Sequence, residues 1–229
     1  MTDQPLDPIG RWLAGFAAAH PGAEVLDVGG GSGARAVPLA RAGCRVLVVD
    51  ASTDALASLA RRAAEAGVSD AIRSLQADAD QLASVLQPGS VDLVLYHQLV
   101  QDVDDPVRSL AAAATMLRAG GTMSVLVPGR LSAVLGEALA GRYDQASALL
   151  DAADDDRRYD VPSLRALMEQ AGLAVESITG VGVVSALASA RAPRPNDPAF
   201  GELERNLGRH PVLGQIAGDL HGLGLRPAP

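Results

Sequence analysis

An apolar run, Glu24-Val25-Leu26-Asp27-Val28, passes directly into Gly29-Gly30-Gly31-Ser32-Gly33 and then into an Ala- and Leu-rich stretch. Strand, glycine turn and helix in that order form a unit that must bury one face against a sheet, and the glycines admit backbone conformations closed to other residues. A second apolar run, Arg45–Val49, ends in Asp50. Further strand patterns at Ile72–Gln76, Val91–Tyr96 and Thr122–Val127 alternate with helical ones, which predicts βαβ units. The fold expected is α/β, a doubly wound, mainly parallel sheet with an antiparallel closing strand.

The pattern places an amphipathic helix at Pro8–Ala19, the first crossover helix at Ser32–Ala42, and a helix ending at Gly67. Another runs from Asp105-Pro106 to Leu117, before a Gly120-Gly121 turn. Pro128-Gly129 breaks the alternation. Residues 130–160 read as an acidic helical insertion over the sheet, and a helix at Pro162–Ala171, a strand at Leu173–Thr179, a Pro-rich linker at Pro193–Pro198 and a final helix and closing strand follow. One domain is expected over 1–229, with an N-terminal helix in 1–22, a ligand-binding core in 23–127, a helical insertion or lid in 128–160 and sheet completion in 161–229.

The glycine loop and Asp50 narrow the ligand. A carboxylate at the end of the second strand can accept both hydroxyls of an adenosine ribose, and ligands of such sheets bind at the carboxyl ends of the strands. A dinucleotide fingerprint spaces its glycines as G-x-G-x-x-G so that pyrophosphate meets the helix N-terminus. Here the loop reads Asp27-Val28-Gly29-Gly30-Gly31-Ser32-Gly33, with an acid two residues before the first glycine. That acid suits a cation, and S-adenosylmethionine carries both an ammonium and a sulfonium.

Together with Asp50, Asp92-Leu93-Val94-Leu95-Tyr96-His97 and Leu117-Arg118-Ala119-Gly120-Gly121-Thr122, the loop resembles the class I S-adenosylmethionine-dependent methyltransferases. The likeness covers roughly residues 12–128. The triple glycine, His97, Val103-Asp104-Asp105-Pro106 and Leu139-Ala140-Gly141-Arg142-Tyr143 are similar to the family of bacterial tRNA carboxymethoxyuridine methyltransferases and its actinobacterial relatives. The resemblance implies S-adenosyl-L-methionine as cofactor, with Gly29 and Gly31 lining it, Asp50 on its ribose, Ala79 and Asp80 beside the adenine and His97 facing the methionine half. Asp27, Gly30, Gly33 and Ala51 complete the candidate set. Three features differ from the tRNA enzymes: the first strand begins at residue 23, Gln101-Asp102 stands where that family tends to have a Glu and an aromatic, and aromatic residues make up only 3% of the chain.

Methyl transfer from a sulfonium is an in-line displacement that needs positioning first and a base only for a protonated acceptor. His97 is the candidate catalytic residue. It equally suits a packing or hydrogen-bonding role at the cofactor site, or a purely structural one. Arg130, Arg142 and Tyr143, in the insertion, are candidates to hold an anionic acceptor, against the commoner fate of solvated helical arginines. Asp151, Asp154, Asp155 and Asp156 lack the spacing and glycine of a calcium loop, so a solvated loop and no metal are expected.

Composition bears on partners. The formal charge is −8 and every one of the 19 basic residues is Arg, a poor footprint for a phosphate backbone. A small-molecule acceptor is therefore expected ahead of tRNA, with a wobble-uridine methyltransferase and a non-catalytic binder of S-adenosylmethionine or S-adenosylhomocysteine as the other readings. Cys44 is the only cysteine, which excludes an internal disulfide framework and a cysteine metal cluster. No apolar run has the roughly 20 residues of a membrane span, and Met1–Gly10 is acidic and Pro-containing, so no membrane partner and a cytoplasmic location are expected.

Overall fold

The computed structural model describes residues 8–151, 157–187 and 197–228. Seven strands form one sheet: β1 (Glu24–Val28), β2 (Arg45–Asp50), β3 (Ile72–Gln76), β4 (Val91–His97), β5 (Leu117–Pro128), β6 (Ala174–Val181) and β7 (Asp219–Leu225). Their spatial order is β3-β2-β1-β4-β5-β7-β6. β1 to β5 pair in parallel, and β7 runs antiparallel between β5 and β6. The expected closing strand is thus present, inserted one place in from the edge.

Alternate residues of each strand feed two cores, as the two-residue period of a pleated strand requires. On one face Val25, Val46, Val48, Leu93 and Leu95 pack against α1 (Pro8–Ala19), α2 (Ala36–Arg41) and α3 (Thr53–Ala66). On the other, Leu26, Val28, Val94, Tyr96 and Val125 meet α5 (Pro106–Met116) and α8 (Val161–Gln170), with Leu82 of the short α4 (Leu82–Val85). The order of the strands reverses between β1 and β4. A crevice at the carboxyl edge of the sheet follows from that reversal.

The first crossover helix starts later than its sequence pattern suggests. Gly31 and Gly33 adopt left-handed backbone (φ +55° and +78°), so the chain is still turning through Arg35 and α2 begins only at Ala36. Gly120 and Gly121 form their turn inside β5. Val91 pairs with Leu117 but Leu93 with Thr122, so four residues bulge out opposite Asp92.

The glycines of β7 weaken a strand taken alone, yet here they are required by packing. A Cβ on Gly222 would lie 2.5 Å from Met168 Sδ, so bare backbone lets α8 settle on the strand. After β5 the chain makes α6 (Arg130–Leu139) and α7 (Tyr143–Asp151). Asp154, Asp155, Asp156 and most of the Pro-rich linker lie outside the described residues. Beyond β6 come α9 (Val183–Leu187) and α10 (Pro198–Arg209).

Glu204 of α10 is 7% exposed and holds the C-terminal quarter together. Its carboxylate accepts from Val183 N (2.7 Å), Val184 N (3.1 Å), Ser185 N (2.8 Å) and Ser185 Oγ (2.8 Å), thereby supplying the first turn of α9 with partners. Hydrogen bonds to a charged group are each worth about 1.5–3 kcal/mol, and their loss leaves buried donors unpaired. Glu204→Ala should therefore lower unfolding free energy by about 2–4 kcal/mol in a denaturant titration, whereas Glu202→Ala, on an exposed residue of the same helix, should change it by under about 0.5 kcal/mol.

Candidate cofactor and acceptor site

The glycine loop is held to β2 from two sides. Gly29 N donates to Val49 O at 2.7 Å, and Gly31 N donates to Asp50 Oδ2 at 2.8 Å. Asp50 Oδ1 accepts from Ser52 N at 2.8 Å, and Ser52 in turn caps α3 by accepting from Ala55 N. Asp50 is thereby fixed in direction, with lone pairs left over for further donors. Gly30 has a different reason to lack a side chain: a Cβ there would stand 2.5 Å from Asp27 Cγ and 2.9 Å from Val48 Cγ1.

Asp27 lies beneath that glycine, 3% exposed, and its Oδ2 has no hydrogen-bond partner among the described residues. Burial pushes its pKa up to about 7; Arg35 opposes the shift and the Asp50 carboxylate adds to it. An acid that is half-neutral near physiological pH and short of a partner fits a site that receives positive charge.

A cavity of about 600 Å³ opens beside the loop, lined by Gly29, Asp50, Ala51, Ala77, Ala79 and Leu99, among others. Its size is that of a small-molecule pocket. Asp50, Asp78, Asp102 and Asp104 contribute carboxylates to its wall, and among the described residues no arginine does. Such a wall repels pyrophosphate and suits a sulfonium. The residues present therefore fit S-adenosylmethionine better than a dinucleotide. Gly30, Gly31 and Gly33 lie in the loop beside this cavity, and Asp80 stands in the turn Ala79–Gln81 with its side chain outside the described residues.

His97 ends β4, half-buried, and lines neither this cavity nor the next. Its Nε2 is 2.8 Å from Ser124 Oγ, which is 2.7 Å from Nε2 of buried His221. Ser124 has one hydroxyl proton, so at least one of the two imidazoles must donate through Nε2. Beside it Gln98 takes left-handed backbone (φ +53°), and its Nε2 donates to Asp219 Oδ1 at 2.8 Å. Burial raises the Asp219 pKa, against the pull of that hydrogen bond.

A second cavity, about 570 Å³, lies at the carboxyl end of β5 and includes Gln101, Gly129, Glu137, Arg142, Arg157 and Arg158 in its wall. The turn Val100–Asp102 separates the two spaces, since Asp102 faces the first and Gln101 the second. Arg157, itself at φ +49°, donates to Gln101 O at 3.0 Å and to Val103 O, and so pins that turn.

Of the acceptor residues expected from sequence, only Arg142 reaches this cavity, and there it pairs with Glu137. Arg130 has another duty: its guanidinium pairs with Asp160, the N-cap of α8, and tethers the start of α6. Tyr143 is 71% exposed and lines neither space. Sequence reasoning missed Arg157 and Arg158, whose only signal is a basic pair directly after the acidic run. It also missed the carboxylates Asp78, Asp102 and Asp104 as cavity wall.

Comparison with known proteins agrees with this geometry. Residues 26–125 match the family described as a methyltransferase domain. The Escherichia coli K12 tRNA 5-carboxymethoxyuridine methyltransferase is 32% identical over 166 residues, 70% of this chain; the match spans 63% of that enzyme, less than two thirds of its length. A ubiquinone biosynthesis O-methyltransferase from Burkholderia pseudomallei is 30% identical over 168 residues, covering 72% of this chain and 71% of that one. In fold, the chain superposes on the Burkholderia thailandensis 1,6-didemethyltoxoflavin-N1-methyltransferase with a TM-score of 0.58 at 18% identity, over 99% of this chain and 80% of the other. Strand order, an acid-walled cavity beside the glycine loop and these relatives converge: the chain belongs to the class I S-adenosylmethionine-dependent methyltransferases.

Proposed function

We propose that this chain, as one methyltransferase domain, transfers a methyl group from S-adenosylmethionine to a small-molecule acceptor held in the arginine-walled cavity. The observation that carries the reading is the pairing of two cavities of opposite character across one turn, Val100–Asp102. On this reading Asp50 receives the ribose hydroxyls, Gly29, Gly31 and Ala51 close on the nucleoside, Ala79 and Asp80 border the adenine, and Asp27 supplies negative charge beneath the loop. Arg142, Arg157 and Arg158 attract an anionic group of the acceptor.

The cofactor supplies an activated methyl on a positively charged sulfur. An acceptor lone pair forms the new bond to carbon while sulfur keeps the electrons of the broken one. The chain's part is to hold the two molecules in line and to exclude water. An acceptor that arrives as a carboxylate needs no base. A hydroxyl or amine needs a base, and His97, outside both cavity walls and bonded through Nε2 to Ser124, serves as one only for an acceptor that extends beyond the arginine-walled cavity to the end of β4.

A tRNA acceptor is the second reading, favoured by the 32% identity to the E. coli wobble-uridine enzyme. The net charge of −8 weighs toward the small molecule. Incubation with methyl-labelled cofactor and separate metabolite and tRNA fractions decides between them. Label in the metabolite fraction alone supports the proposal, label in tRNA replaces it, and cofactor binding with label in neither leaves a non-catalytic binder.

Removal of the Asp50 carboxylate should weaken S-adenosylmethionine by about 10- to 100-fold in calorimetric titration, as expected for one or two charged hydrogen bonds. Wild type should show no binding of NAD. The raised pKa of Asp27 gives two pH signatures. In the free chain its native pKa exceeds its unfolded one, so its contribution to stability is complete below about pH 4 and is lost as pH rises through about 7. Asp27→Asn should therefore flatten the decline in melting temperature between pH 5 and 8. Cofactor binding, which favours the ionised acid, should strengthen over the same interval and release up to about one proton, a linkage that Asp27→Asn removes.

A further inference from the structure

A third cavity, about 440 Å³, lies over the β6–β7 side of the sheet, outside the space assigned to the cofactor. Its construction follows from three local patterns. The floor comes from alternate strand residues that share one face, with Thr179 of β6 in register with His221 of β7. One wall is α1, through Arg11 and Trp12. The other is α10, through Arg205 and Arg209, four residues apart and so on one side of the helix.

Gly208 sets the position of that second wall. A Cβ there would lie 2.1 Å from Gly180 O, so the bare helix backbone settles directly onto β6. The arginines flanking Gly208 consequently lie along the cavity. Among the described residues, three guanidiniums and no carboxylate line this space in a chain of net charge −8, the reverse of the cavity beside the glycine loop. Neither Arg205 nor Arg209 has an ion-pair partner among the described residues. Trp12 adds an apolar wall and meets His221 edge-on at 5.6 Å between ring centroids.

We propose that this cavity is a second binding site, for a small molecule bearing a carboxylate or phosphate. Arg205 and Arg209, with Arg11 opposite, hold the oxyanion, and Trp12 covers the apolar part of the ligand. Guanidinium forks match either oxyanion in two-point hydrogen bonds, and their charge is stronger against a partly enclosed floor than in open water. The site borders His221, one serine hydroxyl away from His97, so a molecule bound there touches the far end of the chain that reaches the end of β4.

Trp12 is the only tryptophan, so its emission reports on this cavity alone. Titration of the full chain with succinate, with inorganic phosphate and with neutral succinamide provides the test, with calorimetry as a second readout. A saturable response to at least one anion and none to succinamide is expected. The double variant Arg205→Gln/Arg209→Gln should weaken the anion by at least about tenfold, the loss of one charged hydrogen bond or more. Its affinity for S-adenosylmethionine should stay unchanged.

The proposal is overturned if neither anion gives a saturable response in the wild-type chain, if succinamide binds as well, or if the double variant binds the anion unaltered. It is also overturned if the variant loses cofactor affinity in parallel, because the arginines would then serve the cofactor's own carboxylate. The wild-type titration stands whether or not the variant folds. Failure here leaves the methyl-transfer reading intact, since incubation with methyl-labelled cofactor tests that separately.

Discussion

The Asp50 carboxylate is the fastening on which the working edge of this protein depends. One oxygen takes the Gly31 amide and the other the Ser52 amide, so a single side chain joins the turn after β1 to the start of α3. A charged acceptor between two backbone amides is among the stronger bonds available to such turns. The glycine loop then stands clear of the strand ends, with Asp27 enclosed below it. Cavity, acid wall and loop are in this sense one object, built around a carboxylate that also retains lone pairs for a ligand.

Much of this could be read from the sequence because the physics is local. The apolar runs Arg45–Val49 and Val91–Tyr96, capping by Asp105-Pro106 and the left-handed residue Gly67 each act over a few residues, so the elements they predict lie within a residue or two of their observed ends. The glycine loop and Asp50 were legible for the same reason. What escaped depends on contacts between distant segments. Nothing near Gly222 announces that Met168 will pack against it, and nothing near Arg157 announces the carbonyls of Gln101 and Val103. Arg130 illustrates the converse: its place in the insertion made it a candidate to hold an anionic acceptor, but a carboxylate thirty positions away pairs with it.

Charge in this chain is sorted by location more than by amount. The acidic surplus gathers partly at the cavity beside the glycine loop, while arginines collect in two other hollows where, among the described residues, few acids or none stand. With lysine absent, every cation is a planar fork able to bond backbone carbonyls as well as anions, as Arg157 does at Gln101 and Arg226 does at Thr115. The same residue type thus ties loops in one place and lines a cavity in another. Composition alone does not distinguish those uses.

The turn Val100–Asp102 is a party wall, one short length of backbone with a separate space on either side. A guest that pushes on one side of such a wall is felt on the other without any long-range conformational change. By reciprocity, whatever the first occupant does to the affinity of the second, the second does equally to the first. Arg157, clamped to the carbonyls of Gln101 within the wall and Val103 just past it, stiffens that backbone. With cofactor and acceptor placed as proposed, coupling between them has three residues of backbone and one guanidinium to pass through.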